Sequence, residues 1–180
     1  LVGTKGLATV NSAGTPNNTV TYNPNGKFES LAVGATATDT FIYQVRDADG
    51  LMTWGTVIVT IEGRNDAPVA VNDSNLRVAR NGQIVIPVLD NDRDIDGDPL
   101  LVQSLSLIGT QGTASITGNT ITYDPNGAFD YLNLGQEAID RFRYTITDSQ
   151  GGTSTATVTV TVFGASDPPV ATDDQAITAE

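Results

Sequence analysis

The chain contains a copy of part of itself. Tyr22-Asn23-Pro24-Asn25-Gly26 recurs as Tyr123-Asp124-Pro125-Asn126-Gly127, an offset of 101 residues (123 − 22). The register then holds without a gap. Phe28, Leu31, Gly34, Asp39, Phe41, Tyr43, Asp47 and Gly50 answer to Phe129, Leu132, Gly135, Asp140, Phe142, Tyr144, Asp148 and Gly151. Further on, Asp66, Pro68, Val69, Ala70 and Asp73 answer to Asp167, Pro169, Val170, Ala171 and Asp174. Upstream, Gly3-Thr4-Lys5-Gly6 matches Gly109-Thr110-Gln111-Gly112, and five extra residues of the first copy fall between Ser12 and Asn18, where Gly14 and Pro16 mark a turn. A unit of roughly 100 residues has the size of an immunoglobulin-like sandwich and exceeds the roughly 20 to 50 residues of a solenoid repeat. Each copy is therefore expected to be a domain.

Strand patterns inside the complete copy support this. Short, alternating, β-branched stretches run over Arg77 to Arg80, Gln83 to Leu89, Leu100 to Ile108, Thr113 to Ile116, Thr120 to Tyr123, Asp140 to Thr147 and Thr153 to Val162. Thr155 to Val162 alternates threonine with alanine or valine at every step, which gives one buried and one wet face. Helical periodicity is absent apart from one turn's worth around Tyr131 to Leu134. The expected fold class is all-β, as tandem seven-stranded sandwiches. Strand patterning stops at Asn65-Asp66-Ala67-Pro68 and at Ser166-Asp167-Pro168-Pro169, where proline fixes an extended path. These boundaries predict the last part of one domain (1–64), a complete domain (65–164), and a linker with the start of a third (165–180). The first copy has no counterpart of residues 65–108, so its missing strands are expected from residues outside the sequence, from another molecule, or from rearrangement.

Composition narrows the chemistry. The 180 residues carry 21 acids against 9 bases, a net charge of −12, so the surface repels nucleic acid and anionic membrane and attracts cations. Only 17% of residues are charged, too few for a disordered acidic tail. Cysteine and histidine are both absent, which removes disulfides, thiolate chemistry, the usual zinc sites and every histidine-dependent triad. No apolar run approaches the roughly 20 residues of a membrane span. The sequence opens in mid-pattern without a signal peptide, so the address must come from elsewhere.

Topology says where the acids meet. If the first strand of the complete copy leaves one pole and the second returns, the loop Asp90-Asn91-Asp92-Arg93-Asp94-Ile95-Asp96-Gly97-Asp98 lies at the entry pole. The turn that begins at Asp148 belongs there too, as does the incoming linker with Asn65, Asp66, Asn72 and Asp73. Carboxylates packed this closely repel unless a cation intervenes, and hard calcium takes six to eight oxygens of the kinds present. Asp92-x-Asp94-x-Asp96-Gly97 matches the first half of an EF-hand loop, but Gln103 stands where the bidentate glutamate belongs and the flanks are strands. An ordinary acidic turn is the competing reading. At the far pole, Glu137 and Asp140, placed in the connection before the sixth strand, are expected to face Asp167, Asp173 and Asp174, although Thr36 replaces Glu137 in the first copy.

The linker Asn65-Asp66-Ala67-Pro68-Val69-Ala70-x-x-Asp73, the run Val88-Leu89-Asp90-Asn91-Asp92 with its Asp-Gly-Asp continuation, and Asp140-x-Phe142-x-Tyr144-x-x-x-Asp148-x-x-Gly151 resemble bacterial cadherin-like and VCBS-type tandem repeats of large secreted, RTX-type adhesins. The resemblance covers nearly the whole chain. It implies cadherin-like Greek-key sandwiches, Ca2+ at the linkers locking successive repeats into a stiff rod, and an extracellular place on a bacterial cell surface. It also implies adjacent repeats of the same polypeptide as partners, with homophilic or cell-surface glycan contacts beyond them. Ser166 stands for Asn65 in the second linker, a departure from the pattern.

A carbohydrate-binding accessory module is the alternative function. It would need clustered exposed aromatics, whereas Tyr22, Phe28, Phe41, Tyr43 and their counterparts recur at core spacing, and Trp54, with Thr155 in its place, reads as packing. An enzyme is not expected, since paired carboxylates need opposite walls of a cleft and these acids fall in turns and linkers.

Overall fold

In the computed structural model the described residues are 3–11, 19–166 and 171–175, and among them there are eleven strands and no helix. The chain divides into two compact units. One comprises residues 1–70, 92–101 and 146–154, and the other residues 71–91, 102–145 and 155–180.

The first unit holds two hairpins. Strands β1 (Leu7–Asn11) and β2 (Thr19–Asn23) pair antiparallel from Leu7↔Asn23 to Asn11↔Thr19. Strands β3 (Thr36–Arg46) and β4 (Met52–Glu62) pair antiparallel along their whole length, from Thr36↔Glu62 to Arg46↔Met52. Alternation then sorts β3 into an inner face of Asp39, Phe41, Tyr43 and Val45 and an outer face of Thr38, Thr40, Ile42 and Gln44. Phe41 is buried and stacks on Tyr22, their rings 6.3 Å apart.

Asp39 fastens the two hairpins together. Its carboxylate accepts from Thr4 Oγ1 (2.6 Å), from the N–H groups of Lys5 (2.9 Å) and Gly6 (2.9 Å), and from the Tyr22 hydroxyl (2.8 Å). Burial by itself would raise this carboxyl, but the donors from Gly6, Thr4, Lys5 and Tyr22 outweigh it and hold the group well below its ordinary range. A side chain at position 6 would collide with the Asn23 carbonyl and the Tyr22 hydroxyl at 2.6 and 2.7 Å, so only glycine lets the segment approach the carboxylate.

The second unit is a seven-stranded sandwich. Strands β5 (Asp73–Ala79), β7 (Leu101–Ser106), β10 (Glu137–Thr147) and β11 (Thr153–Phe163) form one sheet in the order β5-β11-β10-β7. Strands β6 (Ile84–Ile86), β8 (Thr113–Thr117) and β9 (Thr120–Asp124) form the other in the order β6-β9-β8. The chain crosses between sheets after β5, β6, β7 and β9, the Greek-key habit of sandwich domains. β5 runs parallel to β11, with Val162 beside Val78, while the three-stranded sheet is antiparallel. Between the sheets lie Ile86, Val88, Ile121, Tyr123, Phe129, Phe142, Tyr144, Ile146, Val158, Val160 and Val162, all fully buried.

The strand limits differ from the sequence expectation in two instructive places. β5 begins at Asp73 instead of Arg77, because the parallel ladder with β11 starts there, and β6 is reduced to three residues because Pro87 ends its pairing. Asp140 is also not a surface acid in a connection. It is buried in β10 and accepts from Gln111 N (3.1 Å), Gly112 N (2.9 Å) and the Tyr123 hydroxyl (2.7 Å), the same knot that Asp39 ties. Burial and the bond to Asp140 push the Tyr123 hydroxyl up.

Candidate metal centre

Proline 68 and one backbone bridge set the path of the linker. Pro68 is buried, and Val69 exchanges two backbone bonds with Arg93, at 2.8 and 3.2 Å, so the linker lies beside the acidic loop as a short ladder. Asp66 N then donates to Asp96 Oδ2 at 2.8 Å. Inside the loop, the N–H groups of Asp96 and Asp98 both donate to Asp94 Oδ1, at 2.9 and 3.3 Å. Gly97 supplies the left-handed φ of 79° that the reversal needs. The curl brings one carboxylate oxygen each of Asp94, Asp96 and Asp98 within 4.8 Å of one another.

Asp148 joins from the turn between β10 and β11. Its Oδ1 accepts from Gln150 N (2.7 Å) and Gly152 N (2.9 Å), and its Oδ2 accepts from Asn65 Nδ2 (2.8 Å). A Cβ at position 152 would strike this carboxylate and the Ala67 Cα, so glycine is required where turn and linker meet. The Asn65 bond, opposed by burial and helped by the turn's N–H groups, holds the Asp148 carboxyl below its usual value. Asp98 moves the other way, pushed up by burial and then by the charges of Asp94, Asp96 and Asp148.

Three oxygens in this cluster point to a ligand. Asn65 Oδ1, Asp94 Oδ2 and Asp96 Oδ1 are sealed from solvent and receive no hydrogen bond. A buried acceptor without a donor is destabilising, and two of these belong to carboxylates. An oxygen-only donor set with several carboxylates and an amide carbonyl is the kind that could hold a hard divalent cation.

Sequence comparison identifies the kind of domain. A family model described as a bacterial Ig domain matches residues 2–60 and again residues 65–161. The chain belongs to this family. As a bacterial Ig protein it is of a typically extracellular, typically non-enzymatic kind, and among the described residues there is no helix long and apolar enough to cross a membrane. No curated protein matches it in sequence.

Among solved structures it is similar to domains EC1-2 of human mucin-like protocadherin, at 18% identity and a TM-score of 0.42 over 89% of this chain and 85% of that one. It is similar to domains 1-5 of protocadherin gamma B2 at 13% identity and a TM-score of 0.47, over 93% and 33% of the two chains. A nucleoside hydrolase-related hypothetical protein from Saccharophagus degradans, associated with carbohydrate metabolism, shares 16% identity at a TM-score of 0.37, over 56% and 26%.

The acids expected to act together divide into groups. Asn65, Asp66, Asp94, Asp96, Asp98 and Asp148 share the first compact unit and are joined by the bonds just described. Asp92 sits in the same loop, half-buried next to the Arg93 bridge. Asn72 is engaged otherwise, its Oδ1 accepting from Thr157 N at 2.8 Å and its backbone carbonyl from Asn91 Nδ2 at 3.3 Å. Asp73 opens β5 opposite Val158, and Asp90 is exposed in a turn closed on the Pro87 carbonyl. Glu137 is the first residue of β10 and not part of a connection, and its carboxylate pairs with Arg77, which holds it below its usual value. Asp173 and Asp174 are exposed and outside any strand, and Asp167 lies outside the described residues.

One acid went unnoticed in the sequence. Glu29 lines an open cleft of about 580 Å³ together with Asp66, Ala67, Val69, Arg93, Asp94 and Ile95. The clue was available, since Asp130 stands at the matching position of the second copy.

Proposed function

We propose that this bacterial Ig chain is a calcium-dependent extender of a large extracellular surface protein, with the ion held where linker and acidic loop converge. In this reading residues 1–64, 65–164 and 165–180 belong to three successive repeats. Asp94, Asp96, Asp98 and Asp148 supply the negative charge, and the Asn65 side-chain carbonyl a neutral ligand. The supporting observation is the set of three sealed oxygens without donors on Asn65, Asp94 and Asp96. A bound divalent cation neutralises the like charges that push Asp98 up and satisfies those acceptors at once.

The chain's own residues prepare the site before any ion arrives. The Asp94 Oδ1 bonds hold the loop curled, and the Asn65 and Gly152 bonds aim Asp148. Binding is then expected to fix the linker against the loop and so to remove a hinge, which is what an extended spacer needs.

Thermal melting and small-angle scattering with calcium and with chelator test the reading. An ion that binds only the folded state adds about 2.7 kcal/mol at a hundredfold excess over its dissociation constant. A higher melting temperature and a longer, narrower particle are expected with calcium, and Asp94→Asn, Asp96→Asn and Asp98→Asn together should abolish both changes. Identical melting and scattering profiles in the two buffers would overturn the proposal.

A further inference from the structure

The outer face of the β3–β4 hairpin departs from its counterpart in a way the missing strands do not explain. Ile42, Met52, Trp54 and Ile58 all lie on this face, the one turned away from Asp39 and Phe41, by the register Ile42↔Thr56, Gln44↔Trp54, Thr40↔Ile58 and Arg46↔Met52. They are exposed, Trp54 by 62% and Ile58 by 69%. The second repeat carries Arg143, Thr153, Thr155 and Thr159 at the same positions. A solvated sandwich face is satisfied by threonine and arginine, as that repeat shows, so four apolar residues here form a patch that solvation does not account for.

The patch is contiguous. Ile42 lies diagonal to both Trp54 and Ile58 across the ladder, and Met52 precedes Trp54 by two residues along β4, on the same side. A polar rim surrounds it, with Gln44 directly opposite Trp54. Arg46 closes one end of the face, opposite Met52, and Glu62 closes the other, opposite Thr36. Apolar centre, tryptophan anchor, arginine and polar rim are the anatomy of a protein contact.

We infer that this face docks against the same face of a second copy of the chain. Two twisted two-stranded faces pack with their strands nearly aligned, about 10 Å apart. A two-fold axis between them reverses one hairpin relative to the other, so the Arg46 end of each copy meets the Glu62 end of its partner. The same operation sets the Ile42 and Ile58 rows of the two copies over each other and Trp54 over the Thr38 and Thr60 row. Arg46 and Glu62, at opposite ends of this face, meet only in this reversed sense. A contact confined to one two-stranded face is small beside the roughly 800 Å² per partner of a stable complex, so a single contact is weak and gains strength by repetition along neighbouring arrays. The inference does not depend on calcium binding.

Sedimentation equilibrium on the full chain, from ~1 μM to ~1 mM in ~0.15 M salt to screen the net charge, reads the association directly, once with calcium and once with chelator. Trp54 is the chain's sole tryptophan, so its emission gives a second readout. The mass should rise reversibly toward two chains and the emission should shift to the blue over the same range. Ile42→Arg, Trp54→Thr and Ile58→Thr together install residues the second repeat already tolerates, and this variant should stay monomeric with an unchanged melt. Ile42→Arg with Ile58→Thr keeps the tryptophan and should hold its emission red at every concentration. A wild-type chain that is monomeric throughout overturns the inference. So does a dimer that survives the triple variant but is lost on Val45→Thr, which lies on the opposite face. A monomer retained by a glycan array through Trp54 would overturn it as well, in favour of a sugar platform.

Discussion

Strands β3–β4 and β10–β11 carry the same pattern, but they live in different surroundings. Phe41 and Phe142 are equally buried, whereas Val45 is half exposed and its counterpart Ile146 is sealed. Val20 is 38% exposed against 0% for Ile121. Asp47 is exposed and Asp148 buried. In the second repeat, β5 lies along β11, β7 along β10 and β6 along β9, and the first repeat has no counterpart of those three strands in this chain. What it keeps is what one or two hairpins determine by themselves: the ladder register, the Asp39 knot and the Tyr22–Phe41 stack. What it lacks is the collective burial that needs two sheets.

Deleting core volume should give the largest difference between the repeats. Ile146→Ala removes a fully buried side chain and should destabilise the second repeat by about 2–5 kcal/mol. Val45→Ala should change stability by less than about 1 kcal/mol, because water already reaches that position. Urea titration of both variants measures the pair. Equal losses would mean that the inner face of the first repeat is covered after all.

The two aspartate knots offer a finer test. Asp140→Asn leaves buried N–H donors facing an amide and should cost about 1–3 kcal/mol. Asp39→Asn should cost less, because the surrounding hairpins bury less. Acid then separates folded from unfolded carboxyls. The folded Asp39 group titrates below its ordinary 3.8, so its contribution is complete above about pH 4 and is lost as pH falls through the folded value. Melting temperatures of wild type and Asp39→Asn, compared from pH 7 down to pH 2, should stay a constant distance apart above pH 4 and converge below it. A gap that persists in strong acid would break the assignment.

Much of this was readable because its causes are local. The repeat offset, the seven strands and the turn at Asn126-Gly127 follow from alternation and from residues that accept positive φ. The loop Asp94-x-Asp96-Gly97-Asp98 announced its oxygens by their spacing. Two features stayed hidden because they depend on distant partners. Asp140 looked like a surface acid beside a connection, and only the Gln111-Gly112 backbone, arriving from another part of the chain, makes it an interior acceptor. Trp54 read as a core residue from its type, yet its position in the alternation, opposite Gln44, already placed it outside. There the period of the strand outweighs the hydrophobicity of the side chain.

The smallest expected effect sharpens the comparison most. If Trp54, Ile58 and Ile42 were there for stability, replacing them with the residues of the second repeat would lower the melting temperature. They are exposed, and exposed substitutions of this kind stay within about 0.5 kcal/mol. Trp54→Thr and Ile58→Thr, each with threonine's β-branched preference for a strand, should therefore melt as the wild type does when dilute. A loss well beyond 0.5 kcal/mol in dilute solution would show that the face supports the hairpin itself. A loss that appears only as the wild-type concentration rises would show that association, and not the hairpin, is what those side chains stabilise.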